Sequence, residues 1–131
     1  MANLQEERME ELEKLVRRYR DKYDLITLNV GIHGLYTTGK ETLKRMIYFA
    51  KENELPIHMH YCENQKEVEE IKKDYSVDSP VEVLEDYFAN THTILAHAVK
   101  VTESEIRTLS KMKMNVAHCP ISNLRLGCRC C

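Results

Sequence analysis

The chain has 131 residues, of which 43% are hydrophobic and 31% charged, and its 19 basic and 21 acidic side chains give a formal charge of −2. This composition predicts one globular domain or part of one, and it excludes disordered and collagen-like chains, which need less apolar content or many more than 4 Gly and 3 Pro. The balanced charge argues against a nucleic-acid surface, and the absence of an apolar run of about 18 residues argues against a membrane span. Residues 1–13 are acidic and polar, which argues against a signal peptide. A cytoplasmic location is therefore expected.

The sequence begins with a predicted long helix, residues 4–23, followed by four short apolar runs that predict β-strands. The runs lie at 25–30, 56–61, 93–99 and 114–117. They are rich in branched residues, and apolar runs of this kind are typical of parallel strands covered on both faces. Amphipathic helices separate them in the order α-β-α-β-α-α-β-α-β, and right-handed crossovers of this kind give four parallel strands.

The helix starts and buried faces are also readable. Four starts combine a capping residue with a Glu three positions later, an arrangement that satisfies free N–H groups of the first turn. These pairs are Thr38–Glu41, Asn64–Glu67, Ser79–Glu82 and Thr102–Glu105. Apolar residues at helical spacing predict the inward faces. They are Leu12, Leu15, Val16 and Tyr19, then Leu43, Met46, Ile47 and Ala50, then Val81, Leu84, Tyr87 and Phe88, and finally Ile106, Leu109 and Met112.

Two α/β architectures fit this order: an open doubly wound sheet and an arc of a (β/α)8 barrel. A whole barrel needs about 250 residues, so four strands would form half of one. The glycine motifs of dinucleotide-binding and P-loop folds do not occur in the sequence. A half-barrel leaves unpaired strand edges, and we therefore expect self-association into a homo-oligomer.

Histidines are placed unevenly relative to the predicted strands. Five of the six lie at or near the carboxyl end of a strand, and only His92 lies at a strand start. The five are His33, His58, His60, His97 and His118. Ligands bind at the carboxyl ends of strands in both candidate architectures. Each histidine taken alone also has an ordinary structural interpretation, but one shared rim explains all five.

A possible metal and proton-transfer site follows from the spacing around His60. Because His58 and His60 are two residues apart in a strand, their side chains share one face. Glu63 follows where the chain turns into the next helix, a position that also suits an exposed first-turn carboxylate. Imidazole binds zinc or iron, a bound metal acidifies water, and a carboxylate beside that water transfers protons.

Four segments carry a resemblance to a known family. They are Ile32-His-Gly-Leu-Tyr-Thr37, His58-Met-His-Tyr-Cys-Glu63, Thr93-Ile-Leu-Ala-His-Ala-Val99 and Asn115-Val-Ala-His-Cys-Pro-Ile-Ser-Asn-Leu-Arg-Leu-Gly127. In this order and spacing the sequence resembles the metal-dependent amidohydrolase superfamily, and within it the methylthioadenosine/S-adenosylhomocysteine deaminases and related chlorohydrolases. The resemblance implies that residues 1–127 form strands four to seven of a TIM barrel, a partial (β/α)8 domain, and that residues 128–131 form an aberrant Cys-rich tail.

The resemblance also implies roles for single residues. His60 matches a metal ligand, for zinc or iron, and Glu63 matches a catalytic carboxylate that moves protons and contacts substrate. His97 matches a second catalytic residue, and His33 a histidine that contacts substrate. Three further residues match pocket positions, namely His58, His118 and Asn123. The implied reaction is hydrolytic deamination of a purine-like or related heterocyclic small molecule, with neither nucleic acid nor membrane as a partner.

The family also binds its metal with a first-strand His-x-His and an eighth-strand Asp, which this sequence lacks. We therefore expect the chain to be a fragment that is inactive alone and that does not hold a metal with useful affinity. The alternative is a non-catalytic α/β module that binds a metal or partner through His58, His60, Cys62 and the terminal cysteines Cys128, Cys130 and Cys131. A decayed gene product without a function of its own also stays open.

Overall fold

The computed structural model describes residues 4–20 and 22–128, with the side chains of the first helix from Arg8 onward. The elements are α1 (Leu4–Tyr19), β1 (Val30–Ile32), α2 (Lys40–Glu52), β2 (Ile57–Tyr61), α3 (Gln65–Tyr75), α4 (Pro80–Tyr87), β3 (Thr93–His97), α5 (Glu103–Lys111), β4 (Asn115–Ala117) and α6 (Pro120–Arg125). The predicted order is confirmed, and α6 is an additional helix after the last predicted strand. Within these residues, no helix has both the length and the apolar character needed to cross a membrane.

The strands form one parallel sheet in the order β1-β2-β3-β4, as predicted. Each strand therefore pairs with its successor in the sequence, and the order never reverses. An open doubly wound sheet reverses its strand order at a switch point, whereas a (β/α)8 barrel adds its strands in sequence. The sheet is therefore an arc of the barrel type.

The two faces of the sheet have different surroundings. In β2, Ile57, Met59 and Tyr61 are buried, whereas His58 and His60 are exposed. Because side chains alternate between the faces of a strand, the apolar set packs under the helices and both histidines share the other face, as predicted. The core on the helix side includes Val30, Ile32, Leu43, Ile47, Ile71, Leu84 and Leu95.

The extents of two predicted strands, 25–30 and 93–99, are wrong. The run at 25–30 is irregular until Val30, and Leu25 is 99% exposed. The Val30 N–H donates to the Pro56 carbonyl at 2.8 Å, and Pro56 has no N–H with which to extend the ladder further upstream. At the other end, β3 stops at His97 rather than at residue 99, because His97 and Ala98 have φ values of 75° and 47°, which an extended strand does not allow.

Two of the four predicted helix starts have a complete capping box. At Ser79–Glu82 and Thr102–Glu105, both the side-chain cap and the returning Glu bond are present. Asn64 caps α3 by accepting the Glu67 N–H at 2.9 Å. The Glu67 side chain, however, does not return to the Asn64 N–H, and its partners belong to the site described below.

Three predictions about the helices are wrong. Thr38 does not cap α2, because Gly39 is still extended (φ −57°, ψ 146°) and is itself the N-cap, without a side-chain hydrogen bond. Leu15 and Ile106, predicted to face inward, are 49% and 51% exposed. A helix presents only a limited stripe to the sheet that it covers, and both residues lie at the margin of that stripe.

Glu105 joins the starts of α4 and α5. Its Oε2 accepts the Thr102 N–H at 2.7 Å, and its Oε1 accepts the hydroxyl of Ser79. Burial alone would raise the pKa of Glu105, but these hydrogen bonds and the charge of Lys72 together hold the pKa below its ordinary value. The ionised carboxylate therefore stabilises the folded state.

The substitution Glu105→Gln is expected to lower the free energy of unfolding at pH 7 by about 1–2 kcal/mol, because one charged acceptor serves both helix starts. Since the folded-state pKa is lowered, this stabilisation is present above the unfolded pKa of about 4.3 and is lost as the pH falls through the folded pKa. Urea unfolding of both proteins at several pH values should show the difference shrinking toward acid.

The matched control for this substitution is Glu103→Gln. Glu103 lies in the same turn, is exposed and pairs with Arg107 in a surface ion pair, which contributes little to stability. A difference between wild type and Glu105→Gln that is the same at pH 7 and pH 3 would contradict the assignment.

Candidate active site

Three histidine rings lie side by side at the carboxyl ends of adjacent strands. His33 follows β1, His60 lies near the end of β2, and His97 ends β3. The ring centroids of His33 and His60 are 5.0 Å apart, and those of His60 and His97 are 5.4 Å apart. The in-order parallel pairing therefore brings these three predicted site residues into one cluster.

The tautomer of His60 is fixed by its neighbour. His60 Nδ1 lies 2.6 Å from the carbonyl oxygen of His33. A carbonyl oxygen only accepts hydrogen bonds, so Nδ1 carries a proton, and in the neutral ring Nε2 keeps its lone pair. Metal-binding histidines have this arrangement, in which one ring nitrogen is held by a protein acceptor and the other is free.

His97 is held by two acceptors at the same ring nitrogen. Its Nδ1 lies 2.7 Å from Asn123 Oδ1 and 3.3 Å from Glu63 Oε1. Two oxygen acceptors beside Nδ1 favour a proton on that atom, so Nε2 keeps its lone pair here as well. The His97 side chain is 7% exposed and that of Glu63 16%, so this contact is largely shielded from water.

His33 lies at the exposed rim of the cluster. Its Nδ1 is 2.7 Å from Thr37 Oγ1, and the same hydroxyl lies 3.4 Å from the Gly34 carbonyl. When Thr37 donates to that carbonyl, it accepts from His33 Nδ1–H. The edge of Tyr36 meets the His33 ring, with centroids 6.1 Å apart. In each of the three rings, Nδ1 thus faces a protein oxygen.

The backbone leaves the extended conformation where β2 and β3 end. Cys62, His97 and Ala98 have φ values of 48°, 75° and 47°, although none is glycine. A left-handed residue costs about 1–2 kcal/mol, and such residues concentrate at functional sites. The register pairs His97 with Tyr61, which is fully buried on the helix side. The turn at His97 breaks this alternation and lets its ring stack on His60.

Sequence reasoning missed the role of Glu67. This residue is only 2% exposed, and its Oε1 and Oε2 accept the N–H groups of Cys62 and Glu63, each at 2.9 Å. Burial raises the pKa of Glu67, and the two N–H donors act against that rise. The spacing Asn64-x-x-Glu67 marked the residue, but it predicted the wrong hydrogen-bond partner.

The remaining predicted pocket residues differ in position. His58 lies on the face of His60, in register with Gly31 and Ile94, one step toward the start of the strand. Asn123 of α6 is fully buried, and its Oδ1 contacts His97. His118 is exposed after β4, and within residues 22–128 no described ring contact or hydrogen bond connects it to the cluster.

The predicted tail is described only at its first residue. Cys128 is buried, and its N–H donates to the Asn123 carbonyl at 2.8 Å. Residues 129–131, including Cys130 and Cys131, lie outside the described residues, so the domain boundary after residue 127 stays a prediction. Cys62, Cys119 and Cys128 are free thiols.

Comparison with known proteins decides the family. The sequence profile of the Amidohydrolase family matches residues 2–130, nearly the whole chain. The chain belongs to the amidohydrolase family. The resemblance read from the sequence motifs is thereby confirmed.

Curated relatives of this amidohydrolase chain are deaminases. A 5'-deoxyadenosine deaminase from Methanothrix thermoacetophila is 38% identical over 128 residues, which is 97% of this chain and 30% of the relative. A 5-methylthioadenosine/S-adenosylhomocysteine deaminase from Bacillus cytotoxicus is 38% identical over 120 residues, 91% of this chain and 27% of that protein. The chain thus spans less than a third of the length of these relatives.

A solved structure gives the same picture of the fold. An adenosine deaminase from Xanthomonas campestris with bound zinc superposes with a TM-score of 0.85 at 28% identity, over 94% of this chain and 28% of that one. This likeness confirms the predicted fold class, in which four parallel strands and their helices form an arc of a (β/α)8 barrel.

The amidohydrolase family is metal-dependent, and His60 fits one position in a metal site because its Nε2 lone pair is free and its Nδ1–H is anchored. Catalytic zinc sites use about three protein ligands. Among residues 4–20 and 22–128, no group of three or more His, Cys, Asp or Glu side chains is placed to hold a metal ion. The described residues therefore offer fewer donors in one place than a catalytic zinc site uses, together with a Glu63–His97 pair that is already in contact.

Asn123→Leu tests the tautomer assignment at His97. Without the amide acceptor, the fraction of His97 with its proton on Nε2 is expected to rise, because only the longer contact to Glu63 still favours Nδ1–H. Long-range ¹H–¹⁵N spectra of the imidazoles measure this fraction directly. His60 is the internal control, because its Nδ1 partner is a backbone carbonyl that the substitution leaves in place. An unchanged His97 spectrum would show that Asn123 does not set the tautomer.

Proposed function

We propose that this chain provides the proton-transfer and substrate-contacting side of the active site of a metal-dependent amidohydrolase that deaminates a purine-like heterocycle by hydrolysis. The observation that carries this proposal is the 3.3 Å contact between Glu63 and His97, beside His60 with its free Nε2. The names of the relatives favour 5'-deoxyadenosine, methylthioadenosine or S-adenosylhomocysteine as the substrate class.

His60 is proposed as one protein ligand of the metal, zinc or iron. A divalent metal at this position supplies Lewis acidity, which lowers the pKa of a water molecule toward about 7. The anchored Nδ1–H holds the His60 ring in one orientation and leaves Nε2 as the nitrogen for the metal.

Glu63 is the proposed proton carrier. Its carboxylate accepts a proton from the attacking water and delivers it to the departing amine. The water oxygen forms a bond to the ring carbon that bears the amine, the carbon–nitrogen bond breaks, and ammonia leaves, so one water is consumed for each ammonia. The partial burial of Glu63 places this transfer in an environment that favours short, direct hydrogen bonds.

His97 and His33 have complementary proposed roles. His97 Nε2 accepts a hydrogen bond from the attacking water and takes up the second proton of that water, so that the imidazolium stabilises the oxyanion that develops on the substrate. This proton then passes to a ring nitrogen of the product as ammonia leaves. Asn123 keeps the His97 ring in the required orientation. His33, at the exposed rim, contacts the substrate, and the proposal assigns His58 and His118 to the pocket wall.

A chimera tests this function. Residues 4–128 of this chain would replace the matching segment of the archaeal deaminase, and the zinc-loaded protein is expected to release ammonia from 5'-deoxyadenosine. In that chimera, Glu63→Gln should lower kcat by about 10²–10⁴-fold, the usual contribution of a positioned acid–base group. His60→Ala should lower the zinc content measured by elemental analysis.

The matched control is His92→Ala in the same chimera. His92 is an exposed histidine just before β3, at the opposite end of the sheet from the cluster, so kcat and zinc content should not change. A folded, zinc-loaded chimera whose activity survives Glu63→Gln would overturn the proposal.

The 131-residue chain purified by itself is expected to release no ammonia from these nucleosides and to hold zinc well below one equivalent, because its described residues do not bring together the roughly three protein ligands of a catalytic zinc site. Ammonia assays and elemental analysis after dialysis check both points. Stoichiometric zinc that survives His60→Ala but is lost on removal of residues 128–131 would instead favour the non-catalytic, cysteine-bound module.

The predicted homo-oligomer remains part of this proposal. Around the outer strand β4, Val116, Ile121 and Leu124 are 51%, 71% and 65% exposed, and apolar surface of this kind favours association.

A further inference from the structure

Three helix starts share the same sequence pattern, and one of them uses its Glu differently. Glu82 returns to the Ser79 N–H at 2.7 Å, and Glu105 returns to the Thr102 N–H at 2.7 Å. The Glu67 carboxylate instead accepts the N–H groups of Cys62 and Glu63, the two residues before its N-cap residue Asn64. Helix capping alone does not require this, because the Asn64 side chain already accepts the Glu67 N–H.

The segment that Glu67 binds carries the proposed proton carrier. Only residues 62–64 connect β2 to α3, and Cys62 has a left-handed φ of 48°. The other side of the Cys62 peptide is fixed as well, because its carbonyl accepts the N–H groups of Val99 and Lys100 at 3.1 and 2.8 Å. Glu67 therefore completes a set of bonds that links this turn to the loop after His97.

We propose that Glu67 is a positioning residue that fixes the turn at Cys62 and thereby holds the Glu63 carboxylate against the ring of His97. A carboxylate is the suitable side chain because it presents two acceptors to two N–H donors and has no donor of its own. Strained, left-handed residues persist only where their surroundings determine them, and the Glu67 carboxylate provides that constraint from the helix side.

This inference deepens the proposed function, since Glu63 matters to it as the proton carrier. Glu67→Gln isolates the effect because the amide has the same shape but only one acceptor. Its NH₂ group faces an N–H donor, and a buried donor left without a partner forces the turn to move.

The test is imidazole and carboxyl NMR of the full chain. In Glu67→Gln, the His97 ring signals and the Glu63 carboxyl carbon are expected to shift, and the His97 shift should follow the direction seen in Glu63→Gln, where the contact is removed outright. One of the two amide protons, that of Cys62 or that of Glu63, should lose its hydrogen-bonded chemical shift, because the Gln side chain keeps a single acceptor. Glu67→Asp, which keeps the charge and two acceptors, should restore part of the wild-type His97 signals.

Glu105→Gln is the matched control, because Glu105 is also buried and also caps a helix. It should lower stability while leaving the His97 ring signals at their wild-type positions. If Glu67→Gln lowers stability but leaves His97 and Glu63 unshifted, Glu67 is only a helix cap and the proposal is wrong.

A wild-type measurement covers the case in which Glu67→Gln does not fold. Scalar couplings across hydrogen bonds should connect the Cys62 and Glu63 amide nitrogens to the Glu67 carboxyl carbon, and their absence in the folded wild type would overturn the proposal. None of these readouts needs turnover, so an inactive chimera and a failed Glu67 test are separate results.

Discussion

The constraint on which this site depends is the parallel pairing of each strand with its successor. Because β1, β2 and β3 all run the same way and lie next to one another, residues that are far apart in the sequence meet at one edge. His33 and His60 are separated by 27 residues, yet the ring nitrogen of one reaches the backbone carbonyl of the other. The tautomer of His60 on β2 therefore depends on how β1 pairs with β2, because the hydrogen-bond acceptor is the carbonyl of His33, which follows β1.

The three rings show how protein oxygens of different kinds produce the same chemical result. A backbone carbonyl faces Nδ1 of His60, an amide and a carboxylate face Nδ1 of His97, and a hydroxyl faces Nδ1 of His33. Each partner favours a proton on Nδ1 and leaves Nε2 as the base or ligand. The strength of that preference differs, however. The carbonyl cannot donate, so it allows only a protonated Nδ1 in His60. The Thr37 hydroxyl can also donate, so it can pair with either tautomer of His33.

The features that follow from residue periodicity could be predicted from the sequence. The alternation in β2 placed His58 and His60 on one face, and the helical crossovers predicted the sheet and its parallel direction. Features that depend on single backbone torsions could not be predicted. Nothing in the sequence marks Cys62 or His97 as left-handed, because neither is glycine, and a strand that ended in the extended conformation would have sent the His97 ring toward the helices.

The Glu67 hydrogen bonds illustrate the same limit. Asn64-x-x-Glu67 has the same form as the two regular capping boxes, and only the tight turn at Cys62 places two N–H groups within reach of its carboxylate. The missed helix α6 has a similar origin. It is only six residues long, too short for a periodic pattern, yet it delivers Asn123 to His97.

Metal binding and proton transfer are separable properties of this arrangement. Among the described residues no three donors are placed together to hold a metal ion, whereas a catalytic zinc site uses about three protein ligands. The groups proposed to handle protons, Glu63 and His97, are by contrast already in contact and largely shielded from water. The buried Asn123 contacts His97, and the buried Glu67 accepts the N–H of Glu63. Their geometry comes from strand pairing, a left-handed turn and two buried polar side chains, none of which involves a metal. Under the proposed function, donors from other segments would determine whether a metal is bound, and the Glu63–His97 pair of this segment would determine the path of the proton.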